Sequence, residues 1–375
     1  MDWLAFRSNF PVTRYWAFMD HAAVAPLPAQ AVTALREYAD ELAANGIATV
    51  QHWVQRAKDV RRSAARLLDA DVHEIAFIKN TSEGIGFVAE GFPWRPGDNV
   101  VLAAEEYPSN QYPWMNQAHR GVEVRSVPSR GSRVDIDDIR KSIDMRTRVL
   151  SLSYVEFGSG FRNNLTDLGT LCRERGIYFF VDAIQGLGVL PFDVNRMPVD
   201  FLAADSHKWL LGPEGIGLFW IRRELIDLLH PIGVGWNSVV NAGNFSEIDF
   251  RLKPHAGRWE GGAPNNAGIT AMGASLDLLL NTGIDSIYRR IEELTDYLCE
   301  QASRAGLSIF SSRATGEKSG IVSLLSPGRD PDALVRLCRE RGIIVNQRFG
   351  RLRVSPHAYN TFEEIDRLLD CVAST

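Results

Sequence analysis

Asp167-Leu168-Gly169-Thr170-Leu171-Cys172-Arg173-Glu174-Arg175-Gly176-Ile177-Tyr178-Phe179-Phe180-Val181 reads as a helix that stops and a strand that follows. Leu168, Leu171 and Cys172 recur at i, i+3 and i+4, so the residues before Gly176 present a single apolar helical face. Gly176 stands where that helix should end, since glycine enters the left-handed region without a steric penalty. Residues 177–181 are then an unbroken apolar run of strand length, as expected for a strand covered on both faces.

The same texture extends outward. Apolar runs at 74–78, 99–104, 148–153, 201–204 and 216–221 alternate with helical patterns from about residue 55 to 222. Such alternation predicts an α/β fold with a mainly parallel, seven-stranded-type sheet sandwiched by helices. Beyond residue 265 the pattern changes to long amphipathic helices (269–282, 284–305, 331–341, 362–372) with short strands between them (320–325, 343–346, 352–355). That predicts a smaller α+β C-terminal domain. The turn-rich Gly261-Gly262-Ala263-Pro264-Asn265 marks the division. The expected units are an N-terminal segment, 1–18, packing with the small domain, a large domain, 19–264, and a small domain, 265–375.

Composition narrows the class. The chain has 375 residues, 45% hydrophobic and 23% charged, which excludes a disordered or fibrous polymer. Its net charge of -5 gives no electrostatic footprint for nucleic acid. No apolar run approaches the roughly 20 residues that span a bilayer, and the first residues carry no secretory pattern. Cys172, Cys299, Cys338 and Cys371 are dispersed, with no CxxC, and the eight histidines form no HxH or HxxxH pair. The expectation is a cytoplasmic protein with reduced, mostly buried thiols, no structural metal and no membrane or nucleic-acid partner.

In open α/β sheets the ligand lies beyond the carboxyl ends of the strands. Four predicted strands are followed by chemically useful residues: Lys79-Asn80-Thr81-Ser82-Glu83-Gly84, Glu105-Glu106-Tyr107-Pro108-Ser109-Asn110, Asp182-Ala183-Ile184-Gln185 and Asp205-Ser206-His207-Lys208. Each has an ordinary reading when taken singly. Asn80 and Glu83 have the spacing of a helix cap, Asp182 could cap the next helix, and most lysines are solvated. Together they are the components of a pyridoxal phosphate site. A helix N-terminus with two hydroxyls attracts phosphate, and a ring can stack. A buried acid can keep a pyridine nitrogen protonated, and a desolvated lysine offers the neutral amine that attacks a carbonyl.

These residues resemble fold-type I pyridoxal-phosphate enzymes of the class V aminotransferase family, a group that includes cysteine desulfurases, C–S lyases and isopenicillin N epimerase-like proteins. Six motifs in chain order carry the resemblance: Asp20-His21-Ala22-Ala23, Asn80–Gly84, Val181–Gln185, Asp205–Lys208 with Gly212–Gly217, Arg258–Asn265 and Arg353–Thr361. The resemblance implies that Lys208 forms the Schiff base and moves protons at the substrate Cα, and that Asp182 pairs with the pyridinium nitrogen. It implies that Gln185 bonds the ring's phenolic oxygen, that Thr81, Ser82, Ser206 and His207 hold the phosphate, and that Tyr107 stacks on the ring. Arg353 would bind the substrate α-carboxylate, with its planar fork matched to two oxygens, and His21 is a candidate donor in the substrate pocket. The family also implies a homodimer in which the Trp236-Asn237 and 261–265 loops complete the neighbour's pocket.

Departures from the family pattern bear on the reaction. Cysteine desulfurases carry a nucleophilic cysteine on a loop before the carboxylate-binding arginine. Here the stretch Val345-Asn346-Gln347-Arg348-Phe349-Gly350-Arg351-Leu352-Arg353 is short and lacks one. Ala263 also stands where relatives often have a threonine reaching the partner's phosphate. The expected activity is therefore aminotransferase or C–S lyase chemistry on an α-amino acid, not persulfide formation, with epimerisation or racemisation as the alternative. A dinucleotide-binding dehydrogenase is a rival, because Gly84-Ile85-Gly86-Phe87-Val88-Ala89 matches GxGxxA with acids some twenty residues on. Its glycines, however, fall inside helical turns. A non-catalytic relative that keeps the fold is the remaining alternative.

Overall fold

In the computed structural model, which describes residues 1–373, the unit at 167–181 folds as its pattern demands. A helix at Leu165–Arg175 is capped by the Asn164 side chain and ended by Gly176 at φ 66°. The strand Tyr178–Asp182 follows, buried from Phe179 onward.

Thirteen strands are described: β1 (Ala17–Phe18), β2 (Ile75–Ile78), β3 (Asn99–Ala103), β4 (Glu123–Val127), β5 (Thr147–Ser153), β6 (Tyr178–Asp182), β7 (Phe201–Asp205), β8 (Gly217–Ile221), β9 (Ser308–Ile309), β10 (Val322–Leu325), β11 (Ile343–Ile344), β12 (Asn346–Arg348) and β13 (Arg351–Val354). The helices are α1 (Trp3–Arg7), α2 (Ala29–Asn45), α3 (Val50–Leu68), α4 (Thr81–Gly91), α5 (Tyr112–Met115), α6 (Ile136–Ser142), α7 (Leu165–Arg175), α8 (Asn266–Thr282), α9 (Ile284–Arg304), α10 (Pro331–Glu340) and α11 (Phe362–Ala373).

The large sheet has the order β2-β8-β7-β6-β5-β3-β4. Only β8 runs against the rest, pairing antiparallel with both β2 and β7. The carboxyl ends of β2, β3, β5, β6 and β7 therefore share one edge. Successive residues of each central strand enter opposite cores. Leu150, Phe179, Val181 and Leu202 pack on one face, and Val149, Phe180, Phe201 and Ala203 on the other. This is why those runs are apolar without alternation. The edge strand β4, Glu-Val-Arg-Ser-Val, is exposed or half-buried over its first four residues, and its charges leave no apolar run to read.

A second, antiparallel sheet, β12-β13-β10-β9, packs under α9, α10 and α11. The N-terminal segment touches both sides: β1 pairs parallel to β11 and Arg7 bonds Glu364 at 2.7 Å, while Phe6 and Phe10 pack into the core of the large sheet. The expected division at 265 does not coincide with a break in packing. Ile269, Met272, Leu276 and Leu279 of α8 complete the core of the large sheet. Helix α9 passes from that core, at Ile287 and Ile291, into the small one, at Leu294 and Leu298.

Gly84 explains the glycine pattern at 84–86. A Cβ on Gly84 would lie 2.6 Å from Ala203 Cβ, so the glycine lets α4 press onto β7; Gly86 has nothing within 4 Å. Gly84→Ala should destabilise the protein by about 1–3 kcal/mol through overpacking. Gly86→Ala should be neutral or stabilising by up to about 1 kcal/mol. Urea midpoints of the two variants check this, and equal midpoints would contradict it.

Candidate active site

The strand ends converge on a cavity of about 560 Å³. Thr81, Ser82, Tyr107, Asp182, Gln185, His207, Lys208 and Arg353 all line it.

One end is a cradle. The Asn80 side chain accepts from Glu83 N at 2.9 Å, and Glu83 Oε2 accepts from Lys79 N at 2.6 Å, so the first turn of α4 is capped from both sides. The amides of Thr81 and Ser82 precede the first intrahelical bond and remain donors. Thr81 Oγ1 accepts from Asp205 N at 2.9 Å, which keeps its hydroxyl hydrogen available, and Ser82 Oγ donates to Ser109 Oγ at 2.8 Å. This donor set suits a phosphate. It also contains an acid to which the sequence reading assigns no role: Asp205, the first residue of the Asp205–Lys208 motif, lines the cavity and lies 2.9 Å from His207 Nδ1.

The middle holds the buried pair. Asp182 ends β6, and one of its oxygens accepts from Ile184 N at 3.0 Å. Burial raises its carboxyl to about 6, opposed by that backbone bond and by the charge of Lys208. Lys208 follows β7. Burial lowers its amine to about 8, against the attraction of Asp182. Its Nζ lies 5.4 Å from the centroid of Tyr107, whose ring packs edge-on against Phe157. Gln185 is fixed at both ends, accepting from Trp209 Nε1 at 2.9 Å and donating to Ala22 O at 3.0 Å.

Behind Asp182 lie two further buried acids. Glu106 accepts from the Ser153 amide (2.6 Å) and hydroxyl (2.5 Å), and Glu156 accepts from Asn163 (2.8 Å). Burial pushes Glu106 up to about 7 and Glu156 upward as well, the two repelling each other and Asp182.

Two expected site residues are elsewhere. His21 is fully buried outside the cavity. Its Nδ1 donates to Ser355 O (3.0 Å), and its Nε2 is taken by the Tyr359 hydroxyl (2.9 Å), so no nitrogen is left for a substrate. Ser206 does not reach the cradle, because its hydroxyl donates to Pro213 O at 2.6 Å. It braces the turn that carries Lys208, where Gly212 N also bonds Ser206 O at 2.9 Å. The residue after a strand shares the cradle's neighbourhood in sequence, but the turn aims it away.

The third side comes from the small sheet. Arg353 is buried, donating to Phe157 O (3.1 Å) and Asp20 Oδ1 (3.2 Å). Arg348, which no family motif marks, lines the same wall. Between them, Phe349 and Gly350 form a two-residue hairpin turn with φ of 53° and 70°, the backbone twist that suits such a turn. No cysteine lines the cavity. All four are buried, and the Sγ atoms of Cys338 and Cys371 lie 3.7 Å apart in the small core, where burial raises Cys338 to about 12.

A profile of class-V aminotransferases matches residues 17–368. A probable cysteine desulfurase of Methanothermobacter thermautotrophicus is 30% identical over 387 residues, covering 96% of this chain and 95% of that protein. An uncharacterized aminotransferase of Bacillus subtilis is 25% identical over 372 residues, covering 98% and 97%. The solved apo structure of a cysteine desulfurase from Thermococcus onnurineus superposes with a TM-score of 0.89 at 25% identity, covering 98% of this chain and 96% of the other. With the profile spanning nearly the whole chain, this protein belongs to the class-V aminotransferase family.

Proposed function

We propose that this chain is a pyridoxal-phosphate enzyme acting on an α-amino acid by aminotransferase or C–S lyase chemistry, without a persulfide-forming cysteine. The observation that carries this is the placing of a buried amine, Lys208, and a buried acid, Asp182, in one cavity with a hydroxyl- and amide-lined cradle at its end. The cofactor fits this donor set: Thr81, Ser82 and His207 would hold its phosphate, Asp182 its ring nitrogen, Gln185 its phenolic oxygen and Lys208 its aldehyde, with Tyr107 against the ring. When bound, it supplies an electron sink for charge developing at the substrate Cα.

The chain's own residues do the rest. Lys208 offers a neutral amine near pH 8 and afterwards moves the Cα proton. Arg353, pinned by Asp20 and the Phe157 carbonyl, holds the α-carboxylate. The hairpin at 346–354 leaves no loop to carry a nucleophilic thiol into the cavity, which favours elimination or transamination over persulfide transfer. We also propose a homodimer, since Trp236, Phe245, Ile248 and Phe250 form an exposed apolar group in the segment expected to reach a neighbour. Among the described residues no helix is long and apolar enough to cross a membrane.

Three measurements test this reading. An amino-acid panel assayed together for keto acid, sulfide and inverted enantiomer should give keto acid or sulfide; a persulfide on any of the four cysteines would contradict it. The amine's titration sets how cofactor capture depends on pH. Because burial lowers Lys208, its neutral fraction grows as pH rises and is nearly complete a unit above about 8. Capture of pyridoxal phosphate by stripped protein, followed by absorbance, should level off near pH 9, and a rise continuing past pH 10.5 would contradict it. Arg353→Lys should raise KM for the amino acid about tenfold or more by losing the two-pronged grip. An unchanged KM would remove Arg353 from that role. Lysine is chosen over alanine because alanine would leave Asp20 charged and buried without its partner.

A further inference from the structure

The wall opposite the cradle carries two guanidiniums, and their bonding leaves two separate forks. Arg353 gives one hydrogen of Nη1 to Phe157 O and one of Nη2 to Asp20 Oδ1, keeping one N–H on each terminal nitrogen. Arg348 spends Nη1 on Asn346 Oδ1 (3.0 Å) and Gln347 O (2.6 Å), keeping its Nε–Nη2 edge. Either edge can grip a carboxylate or similar oxyanion with two parallel bonds. One scaffold sets both, because Asp20 takes Arg353 on Oδ1 and Asn346 Nδ2 on Oδ2 at 3.0 Å.

The charges at this wall do not balance. Two guanidiniums face one carboxylate, Asp20, and it is paired with Arg353. Among the described residues Arg348 has no acidic partner, although it is half-buried and close enough for its charge to press on Lys208 and Arg353. Elsewhere in the cavity Lys79 pairs with Glu83, Lys208 faces Asp182 and Asp205 lies beside His207, while Glu214, exposed at the cavity's edge, forms an ion pair with neither arginine. An amino acid with an uncharged side chain is neutral overall and brings one carboxylate. It would fill one fork and leave the other cation partly desolvated without a counter-ion, which is costly. An amino acid with a second anion carries a net charge of minus one and fills both.

We propose that the substrate is an α-amino acid whose side chain bears a second anionic group, with Arg353 taking the α-carboxylate and Arg348 the side-chain anion. This rests on the pyridoxal-phosphate reading above. The test uses the holoenzyme and three probes with no hydrogen on Cα, so that titration stops at binding: α-methylaspartate, α-methylglutamate and 2-aminoisobutyrate. Affinity is read from the visible absorbance of the bound cofactor. At least one diacid should bind about tenfold to a hundredfold more tightly than the monoacid, as expected for an added charge-assisted pair. Arg348→Gln should bring that diacid to the monoacid's level while the cofactor's own spectrum stays as in the wild type. Equal affinity of diacids and monoacid in the wild type overturns the proposal. So does an Arg348→Gln variant that weakens all three probes alike, because both arginines would then clasp one carboxylate. A protein in which borohydride fixes no cofactor on Lys208 fails the pyridoxal-phosphate reading. One that is fixed there yet shows no diacid preference fails this inference alone.

Discussion

Lys208→Ala protein should fold, bind pyridoxal phosphate non-covalently and turn over no amino acid at a measurable rate. Two functions leave with the side chain. In the proposed function the amine would anchor the cofactor's aldehyde and would be the base that moves the Cα proton; general acid–base transfer alone is worth roughly two to four orders of magnitude. Folding should survive because the site does not depend on Lys208 for its shape. The turn is held by backbone bonds, Leu211 N to Lys208 O at 3.1 Å and Gly212 N to Ser206 O at 2.9 Å, and by Ser275 Oγ bonded to Leu211 O at 2.7 Å. Losing a buried amine also removes a desolvation penalty. A small primary amine added to the variant should restore some of the rate, since the cavity would then hold both the amine and the space for it. Turnover within about tenfold of the wild type would contradict the assignment.

The second large effect is expected at Asp182. Its carboxylate is buried and its amide isostere fills the same space, so Asp182→Asn tests charge with little change in shape. Removing one partner of a buried ion pair costs about 3–5 kcal/mol. If that loss falls on the step in which charge spreads into the ring, kcat should drop by roughly two to four orders of magnitude. The phosphate cradle is untouched, so the variant should still purify with cofactor. Stopped-flow exchange of the Cα hydrogen with solvent isolates the step. A variant that retains cofactor and exchanges at the wild-type rate would show that the acid does not oppose the ring nitrogen.

Much of this is legible in the chain. The central strands declare themselves because both of their faces are buried, and Asn80, Glu83 and Gly176 stand where helix ends need them. The residues that line the cavity follow strand ends, so Thr81, Tyr107, Asp182 and Lys208 fall on one edge from sequence order alone. What the sequence hides is side-chain direction within tight turns. Ser206 turns to Pro213, and His21 turns into a buried ring cluster with Trp209, His357 and Tyr359. It also hides partners far apart in the chain. Asp20 and Asn346 are separated by 326 positions yet orient both arginines, and no local pattern marks Arg348. Glu106 and Glu156 are equally silent, because an acid beside a strand end is ordinary until burial is known.

The most direct test is borohydride reduction of the purified protein, then proteolysis and mass mapping of the labelled peptide. The pyridoxyl phosphate group should be found on Lys208 alone, with the yellow absorbance lost on reduction. Label on another lysine, or no label in protein saturated with the cofactor, would contradict the assignment.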